Sequence, residues 1–120
     1  MDDVETPPAL PDAGGDTEAS AIAAAEHVMT LFARPALDAQ AWIDGLYPFL
    51  TQQAGYAYES TDPVNVPCKQ VTGSGTVTGE PTEFAVIVQV PTDAGLYNVS
   101  LTRTGPDAAW LADRIRPAQG

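Results

Sequence analysis

The chain has very little of the chemistry that builds metal and redox sites. Its 120 residues contain one cysteine and one histidine. A single cysteine cannot form an intrachain disulfide, and Cys68 with His27 supplies too few soft ligands for a zinc or iron centre. A free cysteine is more often a small buried apolar residue than a reactive thiol. The sequence therefore predicts no metal site and no cofactor.

Positive charge is also scarce. Five Lys and Arg residues stand against 16 Asp and Glu residues, which gives a formal net charge of −11 at pH 7. Binding to nucleic acid or to an anionic membrane surface depends on basic side chains that neutralise phosphates, so this balance disfavours both. Six of the acids lie within residues 1–18, where there is no base, so the rest of the chain is only mildly acidic.

Long apolar runs are missing as well. No run approaches the roughly 18 residues that a membrane-spanning helix needs, and the acidic start lacks the basic and apolar regions of a secretory signal. Residues 1–15 combine like charges with three prolines and two glycines, which predicts a disordered acidic linker. A start of this kind is more typical of a piece of a longer protein than of a natural N-terminus, which stays the alternative, and we expect any membrane anchor to lie upstream.

What the sequence does contain is a change of period. Apolar residues recur at helical spacing over residues 17–59 and alternate at strand spacing over residues 66–115. Helices followed by strands predict an α+β fold, in which N-terminal helices pack on a curved antiparallel sheet of about four strands. The predicted organisation is a linker at 1–15, a single domain at 16–116 and a tail at 117–120.

Three helices are predicted in the first half. The first should be capped by Asp16 or Thr17 and should end at Arg34, because the proline that follows disfavours helical geometry in the residue before it. Asp38 is a good cap for a second helix. Pro48 suits the first turn of a short third helix.

The second half predicts antiparallel strands. The strongest, 83–90, carries apolar side chains on both faces, so it should be central and covered on both sides. In the last strand, Trp110 should lie on the face opposite Leu111 and Ile115, if side chains alternate strictly. The predicted strands are 68–78, 83–90, 96–104 and 108–116.

A carboxylate and several phenols in the helical half are the ingredients of an acid–base site in an apolar cone. The alternative, which the sequence favours, is that these aromatic residues pack with a polar tip at the surface. His27 could serve as a general base near neutral pH, but no Ser or Cys is placed beside it as a nucleophile. We therefore predict no catalytic, cofactor-binding or metal-binding residue. The candidate cone-lining residues are Trp42, Asp44, Tyr47, Tyr56 and Tyr58.

Turn and packing residues on both sides of the change of period form a pattern that covers about residues 16–116. The pattern consists of Trp42, Leu46, Pro48, Leu50 and Thr51, then Asp62, Pro63, Val66, Pro67, Val71, Thr72 and Gly73, and then Val90, Pro91, Thr92, Asp93, Thr104, Gly105, Trp110, Leu111 and Asp113.

This pattern resembles the nuclear transport factor 2-like, or cystatin-like, α+β roll in extracytoplasmic domains of small Gram-positive membrane-anchored proteins. Some of those proteins resemble TcpC-like components of conjugation and type IV secretion systems. The resemblance implies a cone-shaped roll at the cell envelope, joined to the membrane only through an upstream anchor.

The resemblance also implies a function. It favours a non-enzymatic protein-interaction domain with protein partners, self-association among them, and with no nucleic acid. The same roll houses ketosteroid isomerase-like and SnoaL-like enzymes. A small-molecule-binding or cofactor-free enzyme domain is therefore the alternative.

Overall fold

The structure is a computed structural model that describes residues 14–118. Three α-helices precede a four-stranded antiparallel sheet, which confirms the predicted α+β class. The linker predicted at 1–15 lies almost wholly outside the described residues, as do the last two residues of the predicted tail. The elements are α1 (Gly15–Phe32), α2 (Ala39–Leu46), α3 (Gln52–Tyr58), β1 (Thr76–Thr78), β2 (Ala85–Thr92), β3 (Gly95–Thr102) and β4 (Leu111–Pro117).

Helix α1 starts and ends earlier than the sequence predicts. Its N-cap is Gly14, not Asp16 or Thr17, and Ala33 has already left helical geometry with φ −85° and ψ 61°. The distant carboxylate of Glu83 replaces a local cap, because it accepts hydrogen bonds from the Gly14 N–H at 3.3 Å and the Thr17 hydroxyl at 2.8 Å. Capping rules read from neighbouring residues cannot reveal a partner so far along the chain.

The other two helices have local caps. The Asp38 carboxylate accepts a hydrogen bond from a first-turn N–H of α2 at 2.8 Å, as predicted. Pro48 does not begin α3 but lies in a 3₁₀ turn, Tyr47–Phe49, directly after α2. The hydroxyl of Thr51 then caps α3 by accepting from the Ala54 N–H at 3.1 Å. Proline is tolerated both in the first turn of a helix, as predicted, and in this 3₁₀ turn, because neither position requires a backbone N–H from it.

The strands form one sheet in the order β1-β2-β3-β4, with β2 and β3 in the middle. Val86, Val88 and Val90 of β2 are buried beneath the helices, but Ala85 is exposed on the other face and Ile87 is 39% exposed. The prediction that β2 is covered on both sides is therefore wrong. The described helices pack on one face only, which an antiparallel sheet tolerates.

The first predicted strand, 68–78, is reduced to the three residues of β1. Upstream of β1, the backbone N–H groups of Lys69 and Gln70 donate to the Asp93 carboxylate, at 2.8 and 3.3 Å, rather than to another strand. These bonds, that of Lys69 above all, hold the pKa of Asp93 below its ordinary value of 3.8. A side chain thus replaces part of the strand pairing that the apolar pattern predicted.

A β-bulge in β4 changes the face on which Ile115 lies. The pairing of β4 with β3 skips Asp113, and one extra residue reverses the alternation of side chains that follow it. Ile115 is consequently buried in the same core as Trp110 and Ala112. The prediction that Ile115 lies opposite Trp110 is wrong, because strict alternation does not allow for a bulge.

The space between the helices and the sheet is filled by the chain's own aromatic side chains. The ring centroid of Phe32 lies 5.7 Å from that of Trp42, 6.4 Å from that of Tyr58 and 5.9 Å from that of Tyr97. The Trp42 side chain is fully buried and its Nε1–H donates to the Phe32 carbonyl at 2.9 Å. The interior of the described domain is therefore a packed core.

Candidate functional site

The five candidate residues named from the sequence lie in three different environments. Trp42 is in the core, Tyr58 contacts the edge of the sheet, and the other three, Asp44, Tyr47 and Tyr56, lie on the solvent side of α2 and α3. The structure does not bring the five together in one cavity. It does bring some of them together with residues that the sequence had not singled out.

Asp44 and Tyr47 line an open cleft of about 350 Å³ together with Gln40, Ile43 and Glu59. Gln40 and Asp44 are one turn apart on α2, and the Gln40 amide donates to the Asp44 carboxylate at 2.7 Å. The Tyr47 side chain is 46% exposed. The cleft therefore presents two carboxylates and a phenol to solvent, which suits contact with a cationic group.

The Tyr47 ring packs against α3 at a glycine. A Cβ added at Gly55 would lie 2.6 Å from Cε1 of Tyr47, so a larger residue would displace the ring. Tyr56 is 59% exposed, and its hydroxyl accepts a hydrogen bond from Gln52 at 3.0 Å. Tyr56 and Glu59 share one side of α3, because they are three residues apart. We call Asp44, Tyr47, Tyr56 and Glu59 the acidic tyrosine face.

The sequence holds a signal for this face, although no catalytic or ligand-binding motif marks it. Residues 35–68 contain four acids, namely Asp38, Asp44, Glu59 and Asp62, and no Lys, Arg or His. All four of these acids are exposed. A long stretch without bases indicates a surface of one sign, even when no catalytic pattern is present.

Tyr58 lies at the edge of β4 that does not pair with β3. Its hydroxyl donates to the Ile115 carbonyl at 3.0 Å and accepts from the Ile115 N–H at 2.9 Å. The Thr51 N–H donates to the Ala112 carbonyl at 2.9 Å, and Pro117 has no N–H to offer. The segment around α3 thus occupies the edge that β4 would otherwise leave unpaired.

The remaining reactive residue types are also engaged in packing. His27 is exposed and its ring meets that of Phe49 edge-on, with centroids 4.8 Å apart. Cys68 is fully buried, and burial raises the pKa of its thiol above the ordinary value of 9.0. A thiol that stays protonated at neutral pH is a poor nucleophile. Neither residue lines the cleft at Asp44.

A polar cluster that the sequence did not predict joins α1 to the sheet. Glu83 accepts from the Thr17 hydroxyl at 2.8 Å and from the guanidinium of Arg103 at 3.0 Å. The Arg103 side chain is 7% exposed and lies 4.4 Å from the centroid of the Trp110 ring, whose N–H donates to Ser20 at 3.0 Å. The partners are up to 90 residues apart, so no local motif marks them. Because their polar groups satisfy one another, we interpret this Glu83 cluster as a structural clamp.

The clamp makes a prediction about pH. Hydrogen bonds from Thr17 and Gly14, and then the charge of Arg103, hold the pKa of Glu83 below its ordinary value of 4.5. A carboxyl with a lowered folded-state pKa stabilises the fold above its unfolded pKa, and this stability is lost as the pH falls through the folded value. Glu83→Gln should therefore lower the Tm at neutral pH, and its difference from wild type should shrink below about pH 4.

Thermal unfolding followed by circular dichroism between about pH 3 and pH 8 measures this difference. Glu80→Gln is the matched control, because Glu80 is an exposed carboxylate near the same strand. Its Tm should follow wild type at every pH. Parallel curves for Glu83→Gln and wild type would contradict the clamp.

Within residues 14–118, no three His, Cys, Asp or Glu side chains are grouped so that they could hold a metal ion. None of the helices in that range is both long enough and apolar enough to cross a bilayer. No family model, curated protein or solved structure matches this chain. Its function must therefore be inferred from its own residues.

Proposed function

We propose that this chain is a non-enzymatic protein-interaction domain of a membrane-anchored envelope or conjugative-transfer protein. In this proposal the domain is extracytoplasmic, belongs to the nuclear transport factor 2-like rolls, and is anchored through a segment upstream of residue 1. The location and the family depend on the pattern of turn and packing residues. The interaction role depends on how the interior and the surface of the domain are built.

The observation that carries the interaction role is the filled interior. A small-molecule site needs a cavity of a few hundred Å³ with converging polar groups. In this domain Phe32, Trp42 and Tyr97 fill the space between the helices and the sheet. Val88 and Val99 are paired residues of the sheet on its buried face. All five side chains are buried. The enzyme alternative has no comparable observation in its favour.

The surface supports the same proposal. Large apolar or aromatic side chains project into solvent from the helices, the connecting turns and the sheet of the described domain. Such side chains contribute contact area in protein interfaces, where tyrosine is enriched among the residues that dominate affinity. The exposed large side chains are Tyr47, Tyr56, Val64, Ile87 and Leu96.

A small-molecule screen followed by amide NMR tests the proposal. We expect a library of apolar ligands to leave the amides of Val88 and Val99 unmoved, since no space beside them is open to a ligand. Leu46→Ala is the positive control. It removes a fully buried side chain, and the resulting apolar cavity should accept benzene.

Saturable shifts at Val88 and Val99 in the wild-type protein, together with a rise in Tm, would overturn the proposal in favour of the enzyme alternative. A separate experiment, with the full-length protein in intact cells, tests the proposed location. Protease added outside should cleave the domain, and complete protection of it would contradict an extracytoplasmic location.

A further inference from the structure

We infer that the acidic tyrosine face binds a basic segment of a partner protein, with Lys or Arg side chains against its carboxylates and phenol rings. The inference rests on the proposed function, because it assigns a surface and a partner chemistry to the proposed interaction domain. Three properties of the face carry it: its shape, its exposed rings and its unpaired charge.

The shape of the face suits side chains better than a whole small molecule. The cleft of about 350 Å³ is at the small end of the range for ligand sites, and it is open to solvent rather than enclosed. Its lining combines the buried apolar side chain of Ile43, which is 8% exposed, with the exposed polar side chains of Gln40, Asp44 and Glu59. An aliphatic stem ending in a cation matches a lining that is part apolar and part acidic.

The two phenol rings supply the contact area. Tyr47 and Tyr56 are 46% and 59% exposed, and a single exposed tyrosine would need no explanation. Two of them, one in the 3₁₀ turn after α2 and one on α3, form with two carboxylates a surface that attracts cations both through the rings and through charge. Tyrosine also loses little conformational entropy on binding, because it has only two side-chain torsions.

The carboxylates of the face have no cationic partner among residues 14–118, in contrast to the carboxylate of the clamp, although Asp44 accepts a hydrogen bond from the neutral Gln40 amide. Among residues 14–118, Glu83 is paired with Arg103 at 3.0 Å, whereas neither Asp44 nor Glu59 forms an ion pair within that range. Arg34 is near α2, but its guanidinium is held by backbone carbonyls at 2.7 and 3.4 Å and does not line the cleft. Among the described residues, no base lines the cleft, so its two carboxylates are open to a cationic group of a partner.

The outer face of the sheet is a weaker candidate. Ile87 is its exposed apolar centre, and the facing side chains of β3 are Asn98, Ser100 and Thr102. Polar alternation of this kind is ordinary for an antiparallel sheet with one solvated face. Nothing about the outer face specifies what would cover it, whereas the acidic tyrosine face specifies a cation.

Fluorescence anisotropy with a short labelled peptide of alternating Arg and Ser, at physiological salt, tests the inference. The double variant D44N/E59Q should weaken binding about tenfold, since it removes both charges of the face. Its matched control is E80Q/D107N, which changes net charge equally at exposed positions elsewhere. The control should change affinity by less than about twofold.

The rings are tested without any change in charge. Y47S/Y56S should also weaken peptide binding about tenfold, because both anchors are lost. I87S/L96S removes two exposed apolar side chains from the sheet and should leave the affinity at the wild-type value. A peptide of Ser and Gln, which carries no charge, should not bind to any of these proteins.

Two results would overturn the inference. One is the absence of measurable binding of the Arg peptide to wild type, and the other is equal weakening by D44N/E59Q and E80Q/D107N. Equal weakening would mean that net charge attracts the peptide and that no particular face binds it. Either result leaves the proposed function standing, because the NMR screen of the interior tests that function independently.

Discussion

Trp42→Ala should lower the free energy of unfolding by about 3–5 kcal/mol, the usual cost of truncating a buried tryptophan. Trp42 is fully buried, its ring packs against that of Phe32, and its Nε1–H donates to the Phe32 carbonyl at 2.9 Å. The substitution thus opens a cavity and removes one of the two hydrogen bonds that the Phe32 carbonyl accepts, the other coming from the Arg34 N–H at 2.9 Å. The total free energy of unfolding of an ordinary domain is about 5–15 kcal/mol, so this substitution would remove a large part of it.

Urea unfolding followed by far-ultraviolet circular dichroism measures this loss, since that signal does not depend on the removed indole. The control is Tyr56→Ala, because Tyr56 is 59% exposed. Its unfolding free energy should stay within about 0.5 kcal/mol of wild type. If Trp42→Ala cost less than about 1 kcal/mol, the filled interior would not be the stabilising core that we describe.

Tyr58→Phe should cost about 1–3 kcal/mol, although it removes only one oxygen atom. That oxygen satisfies both the N–H and the carbonyl of Ile115, at 2.9 and 3.0 Å, on the free edge of β4. Without it both backbone groups lose their partner, and the edge gains a place where another chain can pair. We therefore expect weaker stability together with a greater tendency to associate.

Chemical unfolding and sedimentation velocity measure the two effects. Tyr56→Phe is the matched control, because the same oxygen is removed two residues earlier, where it accepts a bond only from Gln52 at an exposed position. Its stability should stay within about 0.5 kcal/mol of wild type, and its sedimentation should not change. Equal effects of the two variants would rule out an edge-sealing role for Tyr58.

Much of the fold was predictable because it depends on neighbours in the sequence. The change from helical to alternating spacing predicts the α+β order, and the Asp38 cap requires only a residue three positions away. The alternation of Tyr97, Val99 and Leu101 in β3 also holds, since all three are buried. Local preference and tertiary packing agree at these positions.

The features that the sequence did not predict depend on distant partners. Helix α1 is capped by Glu83, 66 residues beyond Thr17, and the bulge at Asp113 changes which side chains of β4 are buried. The candidate site is a similar case. Trp42, Tyr47 and Tyr58 look alike in the sequence as aromatic residues of the helical half, but their exposure depends on tertiary partners. Trp42 packs against Phe32 of α1, Tyr47 packs at Gly55 of α3, and Tyr58 bonds to Ile115 of β4.

The sealed edge of β4 has a consequence for how a partner can be recognised. A peptide that joined the sheet as an added strand would have to displace Tyr58 from Ile115. At the other edge of the described sheet it would meet the three residues of β1 and the single bridge that Val71 forms with Thr92. Strand addition relies on backbone groups and tolerates many sequences. In the interaction role that we propose, recognition would instead depend on exposed side chains, so the preferred partner could change by substitution at exposed positions while the sheet itself stays the same.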